Sequence, residues 1–175
     1  MKKHTQFTST LPALRIIENE HHLLTYLMNE WHPVVLGFEQ GRITEQESLI
    51  AFETLRNKIM DFKTTYKKHT KKEEAFLFPM LSKYVGNEQG PVRAIEEEHK
   101  EIETYIEHFL YHTDGDLSKL TYDEMEQLSQ DAGEVYEVIT FHFVKEESVI
   151  FPMVEDILKA NEQYDLFENM YSPII

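Results

Sequence analysis

Residues 69–80 read HTKKEEAFLFPM and residues 142–153 read HFVKEESVIFPM. Seven of the twelve positions agree across a separation of 73 residues, so the chain writes His-x-x-Lys-Glu-Glu-x-x-x-Phe-Pro-Met twice, with no compositional bias to explain it. The repeat extends upstream. Residues 17–24 are IENEHHLL and residues 95–102 are IEEEHKEI. With His21 aligned on His99, Ile17 matches Ile95, Glu18 matches Glu96, Glu20 matches Glu98, Leu24 matches Ile102 and Met28 matches Ile106. Each half therefore reads Ile-Glu-x-Glu-His, a linker, then His-x-x-Lys-Glu-Glu. Two such halves predict an approximate twofold relation between a first and a second helix pair.

Capping and breaking residues divide the chain into four long helices. The first starts near Pro12, with Thr10 in position to cap it, and runs to about Glu39 with a bend at Pro33; Gly41 closes it. Thr44 and Glu47 form a capping-box pattern that opens the second, which runs to about Tyr84. Pro91 starts the third, which ends near His112 before TDGD, and Thr121 with Glu124 opens the fourth. Pro79 and Pro152 are expected to bend or end the last turns of the second and fourth helices. Leu166, Phe167 and Met170 mark a short C-terminal helix docked on the rest. The expected fold is all-α, an up-down-up-down four-helix bundle in one domain over residues 1–175. Its core spans about 12–159, with a C-terminal extension over 160–175.

Composition narrows the function. With 17 Lys and Arg against 32 Asp and Glu, the formal charge of −15 repels a phosphate backbone and an anionic membrane surface alike, so neither nucleic acid nor membrane is an expected partner. The absence of Cys excludes disulfides, thiolate metal sites and thiol catalysis. No apolar run suits a signal peptide or a membrane span, and a cytoplasmic location is expected.

Helical periodicity decides which polar groups face inward. Ile17, His21, Leu24 and Met28 share one apolar stripe, which leaves His22 with Glu18, Thr25 and Asn29 on the polar face. His99 falls with Val92, Ile95, Ile102 and Ile106. His69 falls with Phe62, Tyr66, Phe76 and Met80, and His142 with Val135, Val138, Val149 and Met153. Each of these two has a Glu four residues on along the same stripe, Glu73 and Glu146, whereas Glu74 and Glu147 lie about 100° further round and are not expected at the centre. Glu103 reads as a rim carboxylate, and His4, His32, His108 and His112 as surface residues. Tyr66 and Tyr105 flank the expected site, as core filling or as donors to a bound oxygen.

Four imidazoles and two carboxylates converging in an apolar core demand a cation, because an ionised carboxylate buried without a partner is strongly unfavourable. His21, His69, Glu73, His99, His142 and Glu146 are too many ligands for one tetrahedral zinc but suit two octahedral metals. If both Glu bridge, each metal receives two imidazoles and two carboxylate oxygens. A shared oxo or hydroxo group makes each five-coordinate, with one position open. Imidazole with carboxylate suits iron, so the expected cofactor is a pair of iron ions, and small-molecule redox chemistry follows.

With LFPM and IFPM after the His-x-x-x-Glu pairs, these six residues resemble the bacterial hemerythrin-like or HHE cation-binding family of non-haem di-iron four-helix bundles. The resemblance covers roughly residues 14–158. It implies binding, sensing or reaction with O2 or NO, or a part in oxidative and nitrosative damage response and iron-centre repair. Glu103 stands where oxygen-carrying hemerythrins place a further His, so the ligand set is closest to that of the iron–sulfur-centre repair proteins; their usual amino-terminal cysteine pair is missing. Two alternatives stand beside this. Glu18-x-x-His21 and Glu96-x-x-His99 match the spacing of ferritin-like di-iron oxidases, and the second alternative is a metal that only staples a structural or regulatory bundle.

Overall fold

Thr44 accepts a hydrogen bond from the Glu47 amide and donates its own amide to the Glu47 carboxylate, and Thr121 does the same with Glu124. These capping boxes start the second and fourth long helices where the sequence places them. The computed structural model describes residues 8–175, and His4 lies outside them. Helix α1 is Pro12–Glu39 and α3 is Pro91–His112. Helix α2 covers 45–85 in three continuous pieces, Glu45–Lys72, the π-helical Glu73–Leu77 and Phe78–Val85. Helix α4 covers 122–157 likewise, as Tyr122–Lys145, the π-helical Glu146–Ile150 and Phe151–Ile157, and α5 is Ala160–Met170. No strand occurs among the described residues.

The four long helices form an all-α bundle. Helix α1 packs on α2 and α4, and α4 also packs on α3, while α5 lies against α1 and the π-helical part of α2. None of these helices is long and apolar enough to cross a membrane. Helix α1 corrects one expectation. Thr10 does not cap it: Leu11 holds that position without a side-chain bond, and Thr10 instead binds Glu155 through its amide, as Ser9 does through its hydroxyl. Pro33 lies inside α1, which continues unbroken past it.

The π-helical segments are the largest departure from the sequence reading. The amides of Phe78 and Phe151 donate to the carbonyls of Glu73 and Glu146, five residues back. Each wide turn takes up one extra residue, so the inward stripe after it is displaced by one. Phe76 and Met80 were expected inside, yet Leu77 and Leu81 are the buried residues. In α4, Ile150 and Val154 are buried and Val149 is 42% exposed. The prolines neither end these helices nor continue a regular one. Proline lacks an N–H and clashes with the carbonyl four residues earlier, and a widened turn just before it eases both problems.

Two apolar clusters fill the bundle. One is built around Trp31, Phe38, Phe52, Phe62 and Phe109; the other around Leu14, Ile17, Leu77, Ile95, Ile150 and Leu166. On every long helix the residues between these clusters are polar: His21, His69 with Glu73, His99, and His142 with Glu146. The bundle thus carries one polar layer sandwiched between two dry ones.

Thr44→Ala and Thr121→Ala should each lower stability by about 1 kcal/mol, seen as a lower denaturant midpoint at unchanged slope. An unchanged midpoint would mean that packing alone sets where α2 and α4 begin.

Candidate metal centre

All six inward groups expected from the sequence meet in this layer, each almost completely buried. His21 Nε2 lies 2.9 Å from Glu146 Oε2, His69 Nε2 3.1 Å from Glu73 Oε1, and His99 Nε2 3.3 Å from Glu73 Oε2. His142 Nε2 lies 3.6 Å from Glu146 Oε1 and 3.1 Å from His99 Nε2. Two groups of four result, His21–His69–Glu73–Glu146 and Glu73–His99–His142–Glu146, each with its donor atoms within 4.8 Å of one another. Glu73 and Glu146 belong to both. Close as these atoms are, their angles do not suit hydrogen bonds: His21 Nε2, His69 Nε2 and all four oxygens of Glu73 and Glu146 are buried without a hydrogen-bond partner.

The other imidazole nitrogens are fully engaged. Nδ1 of His21 meets Glu147 at 2.8 Å, that of His69 meets Glu20 at 2.8 Å, that of His99 meets Glu74 at 2.8 Å, and that of His142 meets Glu98 at 3.0 Å. Lys72 and Lys145 bind Glu20 and Glu98 in turn. A carboxylate at Nδ1 fixes a ring proton there, so a ring that gives up its second proton presents the Nε2 lone pair to the centre. His99 Nε2 and His142 Nε2 lie 3.1 Å apart, close enough to share one proton or to face one cation. Four carboxylates and two lysines thus belong to the site although no ligand position was expected of them. Glu74 and Glu147 do lie off the centre, as their 100° offset predicts, but each reaches across to a histidine of the opposite half.

Charge in the layer is finely opposed. Burial disfavours a charged His21 imidazole, but the carboxylates of Glu146, Glu147 and Glu73 outweigh burial and hold its pKa well above the usual value. His99, depressed by burial and raised more strongly by Glu73 and Glu74, is pushed up to about 10. Burial raises the Glu73 carboxyl, yet His69, His21 and His99 together hold it well below the usual range. The pocket therefore calls for positive charge at neutral pH, which protons or metal ions can supply.

A family model for the hemerythrin HHE cation-binding domain matches residues 12–154, a span that contains the whole layer. The chain belongs to the hemerythrin HHE cation-binding family. Comparison with curated proteins and with solved structures returns no match. In this HHE chain the pairing of each helical His-x-x-x-Glu with a lone His from a neighbouring helix gives a donor set of imidazole and carboxylate able to hold metal. Glu18, expected on the polar face, is buried and accepts hydrogen bonds from Thr8 and Ser9, and neither Glu18 nor Glu96 joins the donor groups. Glu103 stays exposed, as a rim residue should. His32 stacks on Tyr136 and His108 pairs with Asp131, both away from the layer.

Removing a carboxylate that holds Nδ1 should weaken metal binding about 10- to 100-fold. Glu74→Ala and Glu147→Ala are the test variants, titrated against a competing chelator, and exposed His22→Ala should bind as wild type does. Equal losses in His22→Ala and Glu147→Ala would overturn the assignment of His21 as the inward residue.

Proposed function

We propose that this HHE protein holds two iron ions between its four helices and uses them to bind, sense or react with a small diatomic ligand, O2 or NO. Charge balance supports a pair of ions over one. Glu73, Glu146, Glu20, Glu74, Glu98 and Glu147 bring six negative charges to the layer and its immediate shell, and Lys72 and Lys145 return two. With the imidazoles neutral, as metal ligands are, the four left over are neutralised by two divalent cations and only half neutralised by one. Each ion would take two imidazoles, His21 and His69 or His99 and His142, and share Glu73 and Glu146. Those four donors fall short of the six an octahedral ion accepts, and the shortfall is the observation that carries the reading.

Iron supplies redox change and an open coordination position; the chain supplies the setting. Phe143 stacks on His21 with ring centroids 4.0 Å apart, and Phe78 tilts against His99 at 5.8 Å, so the imidazoles present apolar flanks that exclude water. Tyr66 lies beside both His69 and His99, at 6.4 and 6.3 Å between ring centroids. Burial, and then the charges of Glu73 and Glu146, keep its hydroxyl protonated, and it has no hydrogen-bond partner. A buried hydroxyl with nothing to donate to is placed to serve a bound ligand. Such chemistry fits a sensor, a scavenger or a factor in oxidative and nitrosative damage response.

Aerobically purified protein should contain two irons per chain, and Glu73→Ala or Glu146→Ala should each lose both, since each carboxylate is shared. One tetrahedral zinc per chain would overturn this. Nitric oxide added to the reduced protein should produce new visible absorption bands. Inertness to both gases with two tightly held irons would make the metal a structural staple, and accumulation of added ferrous iron beyond two per chain would make the protein a ferritin-like oxidase.

A further inference from the structure

Lysines gather beside the metal layer of an otherwise acidic chain. Lys63, Lys67 and Lys71 follow one another at four-residue spacing on α2, and Lys100 faces them from α3. With Tyr66 and His99 they line a cavity of about 300 Å³ between the two helices. A shallower groove that shares Lys63, Lys67 and Lys71 continues along α2 past Lys68. Opposing charges are few. Glu74 and Glu103 line the cavity, but Glu74 is committed to His99, and Lys63 is paired with Glu107. Among the described residues Lys67, Lys71 and Lys100 enter no ion pair. At the inner end sits the unpartnered, buried hydroxyl of Tyr66.

A neutral gas gains nothing from four ammonium groups; an anion does. The geometry points to this cleft as the access route by which a small monoanion of the azide, nitrite or hydroperoxide type reaches the metal position held by His99 and His142, where Tyr66 Oη hydrogen-bonds it. This rests on the reading of the layer as an iron centre with open positions. His99 is the one histidine of the layer that lines the cleft. On the opposite side the corresponding lysine is buried: Lys72 binds Glu20 behind His69 and also donates to the Met170 carbonyl of α5 at 3.2 Å.

Azide titrated into the oxidised, iron-loaded protein at low ionic strength is the probe, because exposed charges are screened within about 8 Å at physiological salt. Lys67→Glu/Lys71→Glu should weaken azide binding about tenfold, with slower association and no acceleration at low salt. Lys83→Glu/Lys119→Glu, equal in charge change but away from the cleft, should bind azide as wild type does. Nitric oxide, being neutral, should bind the reduced forms of all these proteins alike. Tyr66→Phe should speed azide dissociation about tenfold and leave association unchanged. Should the charge reversal cost iron, Lys67→Gln/Lys71→Gln carries the same test, with an effect of about threefold.

Azide affinity unchanged within twofold in the cleft variants overturns the route while leaving the iron-centre reading intact. An equal loss for azide and nitric oxide also overturns it, since the lysines would then act on shape. Unchanged dissociation in Tyr66→Phe overturns the role of the hydroxyl. Absence of any azide signal in the wild type, with two irons present, overturns both the route and the open-position reading beneath it.

Discussion

Glu73 and Glu146 are ionisable, fully buried and without a hydrogen-bond donor, and the rest of the bundle is arranged around that unfavourable fact. An unpaired carboxylate in such surroundings costs several kcal/mol even after relaxation. Protein donors do not offset it by hydrogen bonding, because the nearest nitrogens, the four imidazole Nε2 atoms, make no hydrogen bond to either carboxylate, while each Nδ1 is held on the far side of its ring by Glu147, Glu20, Glu74 or Glu98. A fold that wanted only stability would place the donors on the inner nitrogens. With the outer nitrogens held instead, six residues present donor atoms to one centre, and that is the arrangement of a metal ligand cage.

The duplicated motif gains a role for each of its polar letters. In His-x-x-Lys-Glu-Glu, the His and the first Glu face the centre. The Lys binds the Glu that precedes the lone His of its own half, Lys72 to Glu20 and Lys145 to Glu98. The second Glu crosses over: Glu74 holds His99, and Glu147 holds His21. Each half therefore orients a histidine of the other, and neither completes its ligand geometry alone. The Phe-Pro that follows goes with the π-helical turn beginning at the first Glu, which explains why letters so far from the metal layer repeat with it.

Most of this was legible in the sequence, and the failures have specific causes. The four helices, their capping boxes, the docked C-terminal helix and the convergence of six inward groups all follow from periodicity and helix signals. The register beyond Glu73 and Glu146 did not, because an ideal 3.6-residue period cannot anticipate an extra residue in one turn; the proline six positions on was the available clue. The outer shell was missed for a different reason. Glu20, Glu74, Glu98 and Glu147 lie off the apolar stripe, and a stripe argument ranks such residues as surface, although a long carboxylate side chain can reach a ring nitrogen on the neighbouring helix. Their repetition in both halves was the signal. Glu18 repeats as well, yet it serves the chain near Thr8 and Ser9, so repetition marks candidates without assigning their role.

Duplication makes the two donor groups alike in residue type, and elements outside the repeat make them unlike in surroundings. Lys72 is buried beneath α5 and held by the Met170 carbonyl, whereas its counterpart Lys145 is 53% exposed, with no such partner. On the Glu20–His69 side the lysine ammonium is thereby held by two acceptors, the Glu20 carboxylate and the Met170 carbonyl. The Glu98–His142 side keeps a lysine with freedom to move, and its companion His99 borders the cavity between α2 and α3. Access from solvent depends on what covers each donor group, and one C-terminal helix is enough to make the two differ, since it buries the lysine behind His69 and leaves the lysine behind His142 exposed.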